Sequence, residues 1–415
     1  MTVSVEERLE LPPRLMTSEP GSFARKTIVE RKPQIIRQVL EDNGYPPAIV
    51  GRLERFRGEI ASQPMQPLSE PAPDLLFWNR EWATFEGRTW LEVPWYWAEA
   101  FFYRRLLEAA SYFQPGAWQG HDPFGDQKRG QIQVAVARLA AELEAVVQAR
   151  PEVAFQALLH SCLWGNRADL SNESIRLAVQ GGLAARQERH NILIDHSEET
   201  YRWIAGGLGR VDFICDNAGL DLLYDLALAD LLLGQGWVRQ VCFHLKAQPF
   251  FVSDAMPQDL QATLTRLQTC SHARARELAE RLLDCQEAGR LVLYADPFWT
   301  TYLMFHQFPA ALRTDLSRSG LVILKGDVNY RRLLDDRHWP HTTTLEEVAA
   351  FFPAPFLVLR TLKGEIQVGL APGQAEALSA EDPSWLINGQ RGLVHLCLAD
   401  WHADGGGELH WQAPL

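Results

Sequence analysis

Residues 211–236, VDFICDNAGLDLLYDLALADLLLGQG, join an apolar run to an amphipathic stretch through a short polar turn. The apolar run has the length and composition of a buried strand, and the stretch after it has helical spacing. A strand followed by a helix is the repeating unit of a parallel sheet that is covered on both faces. This segment therefore predicts an α/β fold.

Four further apolar runs repeat the pattern towards the C-terminus. They are WVRQVCFHLK (237–246), RLVLYADP (290–297), GLVILKGD (320–327) and PFLVLRTLK (355–363). Amphipathic stretches separate several of them, as expected where helices connect parallel strands. We therefore predict a three-layer α/β/α, Rossmann-like domain with a mostly parallel sheet over residues 186–415.

The first part of the chain has a different pattern. Before about residue 185, the apolar residues recur at helical spacing, which predicts a helical N-terminal domain over residues 1–185. Six tryptophans between residues 78 and 118 predict an aromatic core for that domain. The alternative is that some of these rings line a cleft.

Composition excludes several classes of protein. The chain has 415 residues, of which 47% are apolar, and 40 basic against 52 acidic residues give a net charge of −12. This balance argues against nucleic acid or an anionic membrane as a partner. No apolar run approaches the roughly 18 residues of a membrane span. Six scattered cysteines without a C-x-x-C pair are typical of reduced thiols in a cytoplasmic protein. Nothing in the pattern predicts an oligomeric state.

Polar residues follow the predicted strands, where ligands bind in open parallel sheets. Asp216 and Asn217 follow the first run, and Lys246 and Asp254 follow the second. The fourth and fifth runs lead into Lys325, Asp327, Asn329, Tyr330, Arg331 and Lys363. Each residue alone could be a helix cap or lie on a loop surface. Together they predict one site.

The chemistry of that site follows from its donors. Asp216, Asn217 and Asp254 offer hard oxygen ligands, which suit Mg²⁺ or Mn²⁺ better than zinc. Lysine is rare in this arginine-rich chain, yet the last three of six lysines all follow apolar runs. Lys325 and Lys363 would neutralise a phosphate, with help from the nearby Arg331. A metal ion and these cations predict phosphate chemistry.

Six segments of the sequence resemble the damage-control phosphatase family, formerly a domain of unknown function numbered 89. They are PWYWAEAFFYRRL (94–106), LLHSCLWGNRADLS (158–171), CDNAGLDLLYDLALADLLL (215–233), HLKAQPFFVSDA (244–255), LKGDVNYRRLLDDRHWP (324–340) and LRTLKGEIQVGLAPGQ (359–374). The likeness runs from about Ser22 to Gly373. Arg360-Thr361-Leu362-Lys363 matches the Arg-Thr-x-Lys motif of subfamily III.

This resemblance implies an activity. It implies metal-dependent hydrolysis of phosphate monoesters, with Mn²⁺, Mg²⁺, Co²⁺ or Ni²⁺ as the ion. The family's substrates include sugar phosphates such as fructose 1-phosphate and fructose 6-phosphate, and related reactive phosphometabolites. By resemblance the metal falls on Asp216, Asn217 and Asp254, and the sugar phosphate on residues 327–331 and Lys363.

Two residues are expected to contact the site residues without touching the ligand themselves. Arg360 belongs to the family motif, and Asp221 stands where a Glu is usual in the family, so its supporting role is open. Asp216 and Asp254 are the expected catalytic residues. The phosphoryl group would pass in line to a water or to one of these aspartates, while Asp327 holds the sugar hydroxyls together with Asn329.

Two alternative functions remain at this stage. The first is an adenosyl-methionine-dependent protein carboxyl methyltransferase, an activity that has also been attached to part of this family. It normally needs a glycine-rich turn after the first strand, where this chain has Asp216-Asn217-Ala218-Gly219. The second is a sugar-phosphate sensor that binds its ligand without catalysis.

Overall fold

A computed structural model of the protein describes residues 11–165 and 189–398. Seven strands in this part of the chain form one sheet, in the order β1-β7-β6-β5-β2-β3-β4. The strands are β1 (Ile192–Asp195), β2 (Leu208–Ile214), β3 (Val238–His244), β4 (Leu291–Tyr294), β5 (Leu321–Lys325), β6 (Phe356–Thr361) and β7 (Gly392–Cys397). Neighbours are parallel except β6 and β7, which are antiparallel. The predicted mostly parallel sheet is confirmed.

Helices precede the sheet and then cover both of its faces. The N-terminal helices are α1 (Phe23–Lys26), α2 (Lys32–Asn43), α3 (Pro47–Ser62), α4 (Leu75–Ala83) and α5 (Trp95–Ala109). One face is covered by α6 (Gly125–Gln148), α7 (Pro151–Trp164), α8 (Ser197–Ala205), α9 (Leu220–Gly234), α10 (Pro257–Thr269) and α11 (Ala273–Glu287). The other is covered by α12 (Ala310–Leu316), α13 (Gly326–Leu333), α14 (Leu345–Val348) and α15 (Gln374–Glu381). This is the predicted three-layer α/β/α architecture.

Successive side chains on a strand point to opposite faces of the sheet, so the core is divided into two parts, one on each face. On β2, Val211 and Phe213 pack with α6–α11, whereas Ile214 packs on the opposite face. A third core joins α2, α3, α4 and α5, and Trp78 and Trp90 are fully buried in it. The predicted aromatic helical core is therefore present.

The predicted domain boundary between residues 185 and 186 lies outside the described residues. The helices α6 and α7, which precede it, share a core with the sheet and not with α2–α5. None of the helices in the described ranges has the length and apolar content needed to cross a bilayer.

The strand order places a crevice at the end of β2. The chain adds β3 and β4 on one side of β2, and β5 and β6 on the other. Connections therefore diverge between β2 and β5, where open α/β sheets bind their ligands beyond the carboxyl ends of the strands. The polar turn after β2 and the start of α13 after β5 meet at this point.

Candidate functional site

A cavity of about 190 Å³ opens at the carboxyl ends of β2 and β5. Seven of the eleven predicted site residues line it, namely Asp216, Asn217, Asp221, Asp254, Lys325, Asp327 and Lys363. Its volume is below that of a pocket for a drug-sized ligand, which is about 300 Å³ or more. The cavity therefore suits a small metabolite.

Asp216 lies two residues beyond the end of β2 and is 7% exposed. Its carboxylate packs against Gly326, whose φ of +82° lies in the left-handed region. A Cβ at residue 326 would lie 2.0 Å from Asp216 Oδ2, so this position requires glycine on two grounds. Asn217 Nδ2 donates to Asp216 Oδ2 at 2.7 Å and to Asp221 Oδ2 at 3.2 Å.

Asp254 is brought beside Asp216 by backbone pairing between two loops. Asn217 and Asp254 form an antiparallel bridge, and the amide of Ala255 donates to the carbonyl of Asp216 at 2.8 Å. Val252, two residues before Asp254, has a φ of +61°, which is unfavourable for a β-branched residue. Strained backbone of this kind is found where a functional loop is held by its surroundings.

Burial disfavours the charged forms of both aspartates. It raises the pKa of Asp216 well above its usual range, and the neighbouring Asp254 and Asp221 raise it further. Burial also raises the pKa of Asp254 to about 6, although Lys246 opposes this shift. Asp254 Oδ2 lies 3.3 Å from Lys246 Nζ and has no hydrogen-bond partner within the described residues. The two carboxylates form an electron-rich pair, and the ion pair between Lys246 and Asp254 balances their charge only in part.

Lys325 lies beneath this pair and is 1% exposed. Its ammonium group contacts Asp225 Oδ1 at 2.6 Å and Asp221 Oδ1 at 2.8 Å, and donates to the carbonyl of Cys162 at 2.6 Å. Burial lowers the pKa of Lys325, but the two carboxylates more than offset this and place it well above its usual value. These contacts use all three donors of the ammonium group. The sequence analysis assigned Lys325 to the phosphate, whereas here it neutralises two aspartates.

Asp327 is held by two buried arginines. Arg331 Nε donates to Asp327 Oδ2 and Arg360 Nε to Asp327 Oδ1, both at 2.7 Å. Burial raises the pKa of Asp327, but these guanidinium groups more than offset that effect and lower it to about 2. Arg331 also contacts Asp336 at 2.7 Å. Arg331 and Arg360 are not among the residues that line the cavity, and both contact it through Asp327.

Asn329 and Tyr330 are placed away from the cavity. Asn329 is fully buried and donates to the carbonyls of Lys325 and Ile214. The Tyr330 hydroxyl accepts a hydrogen bond from the amide of Val368 at 3.1 Å. Residues 327–331 belong to α13. Successive side chains on a helix point in different directions, so Asp327 faces the cavity while Asn329 and Tyr330 do not.

The N-terminal helices complete the cavity with residues that the sequence analysis did not select. They are Phe23, Arg31, Trp95 and Glu99, together with Phe251 from the loop before Asp254. Of the tryptophan-rich segment, Trp95 lines this cavity. Glu99 had a visible signal, since it is a lone acid within the apolar helical run WYWAEAFFY.

A second group of potential metal ligands lies elsewhere on the sheet. Asp212, His244 and Asp315 present ligand atoms within 4.8 Å of one another. Arg210 already contacts both carboxylates, reaching Asp212 Oδ1 and Asp315 Oδ2 at 2.6 Å each. His244 Nε2 lies 2.8 Å from Asp212 Oδ1. A protein cation thus occupies the position between these acids.

Comparison with known proteins identifies the family of this chain. The model of the damage-control phosphatase ARMT1-like domain matches residues 27–378. The chain belongs to this family. A relative from Danio rerio named Damage-control phosphatase ARMT1 is 32% identical over 92% of this chain and 97% of its own length. The protein is accordingly an enzyme of the phosphatase class.

Other relatives show the same extent of similarity. Proteins with the same name from Xenopus tropicalis and Homo sapiens are 31% and 29% identical, over 94% and 92% of this chain and 99% and 98% of their own lengths. A crystal structure of a DUF89 family protein from Pyrococcus horikoshii aligns with a TM-score of 0.49 at 12% identity, over 90% of this chain and 97% of that one.

Proposed function

We propose that this phosphatase is a metal-dependent phosphomonoesterase of small phosphorylated metabolites, with sugar phosphates such as fructose 1-phosphate or fructose 6-phosphate as the substrate class. The observation that carries the proposal is the charge of the cavity. Among its described lining residues are five acids, Glu99, Asp216, Asp221, Asp254 and Asp327, but three bases, Arg31, Lys325 and Lys363. Since a phosphate is itself an anion, the cavity needs a further cation to bind one.

Asp216, Asn217 and Asp254 are the residues proposed to hold that cation. Two carboxylates and an amide are hard oxygen donors, which favour Mn²⁺, Mg²⁺, Co²⁺ or Ni²⁺ over softer ions. The buried Oδ2 of Asp254, which lacks a hydrogen-bond partner in the described chain, fits a ligand role. Asn217 directs its amide nitrogen towards Asp216, so ligation requires its amide to turn over. When bound, the ion supplies positive charge that polarises a phosphoryl oxygen.

Lys363 is the proposed protein cation for the phosphate. It is half-buried, lines the cavity, and its charge acts against the raised pKa of Asp216, which places the two close together. A lysine ammonium is a compact charge that suits a phosphate oxygen. In this proposal Lys363 takes the role for which the sequence analysis also named Lys325 and Arg331.

Asp327 is proposed to orient the sugar. With a pKa of about 2 it stays ionised at physiological pH, so its oxygens only accept hydrogen bonds. Sugar hydroxyls are donors that match it. Arg331 and Arg360 fix its position from behind, and Asp216 and Asp254 remain the proposed catalytic residues.

The proposal is tested by measuring phosphate release from a panel of hexose phosphates and p-nitrophenyl phosphate. Each assay is run with Mn²⁺, Co²⁺, Ni²⁺ or Mg²⁺ and again with a chelator. We expect release from both kinds of ester with at least one ion, and loss of release with the chelator. Undiminished phosphate release in the chelator would contradict the proposed metal dependence. Release from p-nitrophenyl phosphate alone would contradict sugar phosphates as the substrate class.

The two alternative functions predict different results for the same protein. A sensor would bind hexose phosphates in calorimetry but release no phosphate with any of the four ions. A methyltransferase would bind adenosyl-methionine and transfer its methyl group to protein carboxylates without added metal.

A further inference from the structure

We propose that Glu99 is a specificity-determining residue that accepts a hydrogen bond from a hydroxyl of the substrate. The inference rests on the proposed phosphatase function and concerns the wall that α5 contributes to the cavity. It would favour phosphate esters with a neutral, hydroxyl-bearing body over other phosphate esters.

The first observation is an incomplete hydrogen-bond set on a buried charge. Glu99 is 3% exposed and lines the cavity. Its Oε2 forms a short ion pair with Lys32 Nζ, while Oε1 is buried and has no hydrogen-bond partner among residues 11–165 and 189–398. An unsatisfied buried acceptor is rare in native proteins and needs an explanation. A ligand hydroxyl in the cavity would supply the missing donor.

The second observation concerns Lys32, which fixes Glu99 from behind. Lys32 is 1% exposed, and its ammonium group lies 4.6 Å from the ring centroids of both Phe102 and Tyr103. Burial lowers the pKa of Lys32 to about 8, although Glu99 opposes the shift. The ion pair therefore lies in a rigid aromatic setting, and it orients a carboxylate without satisfying it. Such support from behind is what a positioned binding group requires.

The chemistry of this wall defines what can bind there. An ionised carboxylate only accepts hydrogen bonds, so it attracts hydroxyl donors and repels a second phosphate or a carboxylate. Trp95, Phe23 and Phe251 line the same cavity and offer apolar rings to the C–H faces of a small polyol. Arg31 also lines it, but this residue is exposed, so solvent screens its charge. A sugar monophosphate meets these demands.

The test compares two substrates in the variant Glu99→Gln, which keeps the shape of the side chain. With a hexose phosphate, kcat/KM should fall about 10- to 100-fold, because a hydrogen bond to a charged group is lost. With p-nitrophenyl phosphate, which has no hydroxyl on its body, kcat/KM should change less than about twofold. Equal losses on both substrates, or no loss on either, would overturn the proposal.

Glu108→Gln provides a matched control on the same helix. Glu108 is also buried, but its Oε1 accepts from the amides of Ser69 and Glu70, and it does not line the site cavity. This variant should leave the ratio of the two kcat/KM values unchanged. A similar change of ratio in both variants would mean that the effect comes from the helix and not from a contact of Glu99.

Deoxy analogues of the hexose phosphate answer the same question should Glu99→Gln fail to fold. With the wild-type enzyme, removal of at least one hydroxyl should lower kcat/KM about 10- to 100-fold. Uniform values across the deoxy series would overturn the proposal. If the wild type releases no phosphate from any ester, the proposed function fails. Calorimetric binding of the hexose phosphate to wild type and Glu99→Gln then decides, since equal Kd values would refute the role of Glu99.

Discussion

Two groups of buried acids begin four residues apart, one within β2 and one just beyond its end, yet their surroundings differ. Asp212, within β2, is fully buried and accepts hydrogen bonds from Arg210, His244 and Ser319. Asp216, just after β2, accepts from the amide of Asn217 but faces other carboxylates, and its pKa is raised by burial and by those neighbours.

The two groups differ in the cation that neutralises their carboxylates. In the Asp212 group, the guanidinium group of Arg210 neutralises the carboxylates of Asp212 and Asp315. In the Asp216 group, Lys246 reaches Asp254 from one side, and Lys325 is committed to Asp221 and Asp225. The proposed ion would complete the neutralisation of the Asp216 group, whereas the protein itself already neutralises the Asp212 group. Proximity of acids alone does not distinguish the two groups.

The largest expected effect is on activity, in the group at the cavity. Asp254→Ala should lower kcat at least about 10³-fold, since it removes a ligand of the ion and a charge at the reacting phosphate. The fold should persist, because the change removes a carboxylate that burial disfavours. Phosphate release from p-nitrophenyl phosphate and circular dichroism measure the two effects. A folded variant with wild-type turnover would exclude Asp254 as a ligand.

The opposite outcome is expected for the Asp212 group. Asp212→Asn should destabilise the protein by about 3 kcal/mol, because it leaves Arg210 and His244 without their shared buried partner. Turnover per folded molecule should stay within about twofold, because Asp212 does not line the cavity. Urea unfolding and the same phosphatase assay measure both. Abolished turnover in a stable variant would mean that Asp212, His244 and Asp315 hold the ion instead.

The sequence predicted the group around Asp216 because the signal for these residues is local. Asp216 and Asn217 follow one apolar run directly, and Asp254 lies in the loop after the next run. The rule that parallel strands bind ligands at their carboxyl ends brings such residues together. The same rule was less accurate for residues 325–331. It placed them at the correct edge of the sheet, but it did not show that the segment starts a helix or which partner each side chain meets.

Partners of buried charges were the main feature that the sequence could not show. Lys325 contacts Asp221 across about one hundred residues, and Arg331 and Arg360 converge on Asp327. Such pairing depends on tertiary packing and not on spacing along the chain. The strands β1 and β7 were also not predicted. β1 has only four residues and lies at the edge of the sheet, and so short a run gives a weak apolar pattern.

A smaller effect is expected on stability when the ion binds. A ligand that binds only the folded state at 100 times its Kd stabilises it by about 2.7 kcal/mol. Mn²⁺ should therefore raise the Tm of the wild type and of Asp212→Asn by similar amounts, and that of Asp254→Ala much less. Differential scanning fluorimetry with and without chelator measures these shifts. Loss of the shift in Asp212→Asn alone would assign the ion to the Arg210 group.

The smallest expected effect is a pH dependence whose direction reverses with metal. The pKa of Asp254 is about 6 in the folded protein and about 4 in an unfolded chain, so between these values the folded state binds more protons. Without metal, stability relative to Asp254→Ala should therefore fall as the pH rises from 4 to 6, on the order of 1–2 kcal/mol in total.

With metal the sign changes, because a ligand carboxylate must lose its proton to bind the ion. In Mn²⁺, the stability of the wild type relative to Asp254→Ala should increase as the pH rises over the same range. Urea unfolding at pH 4.5, 5.5 and 6.5, with Mn²⁺ or with chelator, measures both slopes. Equal slopes in the two conditions would show that protons and metal do not compete at Asp254. An external cation would then not distinguish the Asp216 group from the Asp212 group.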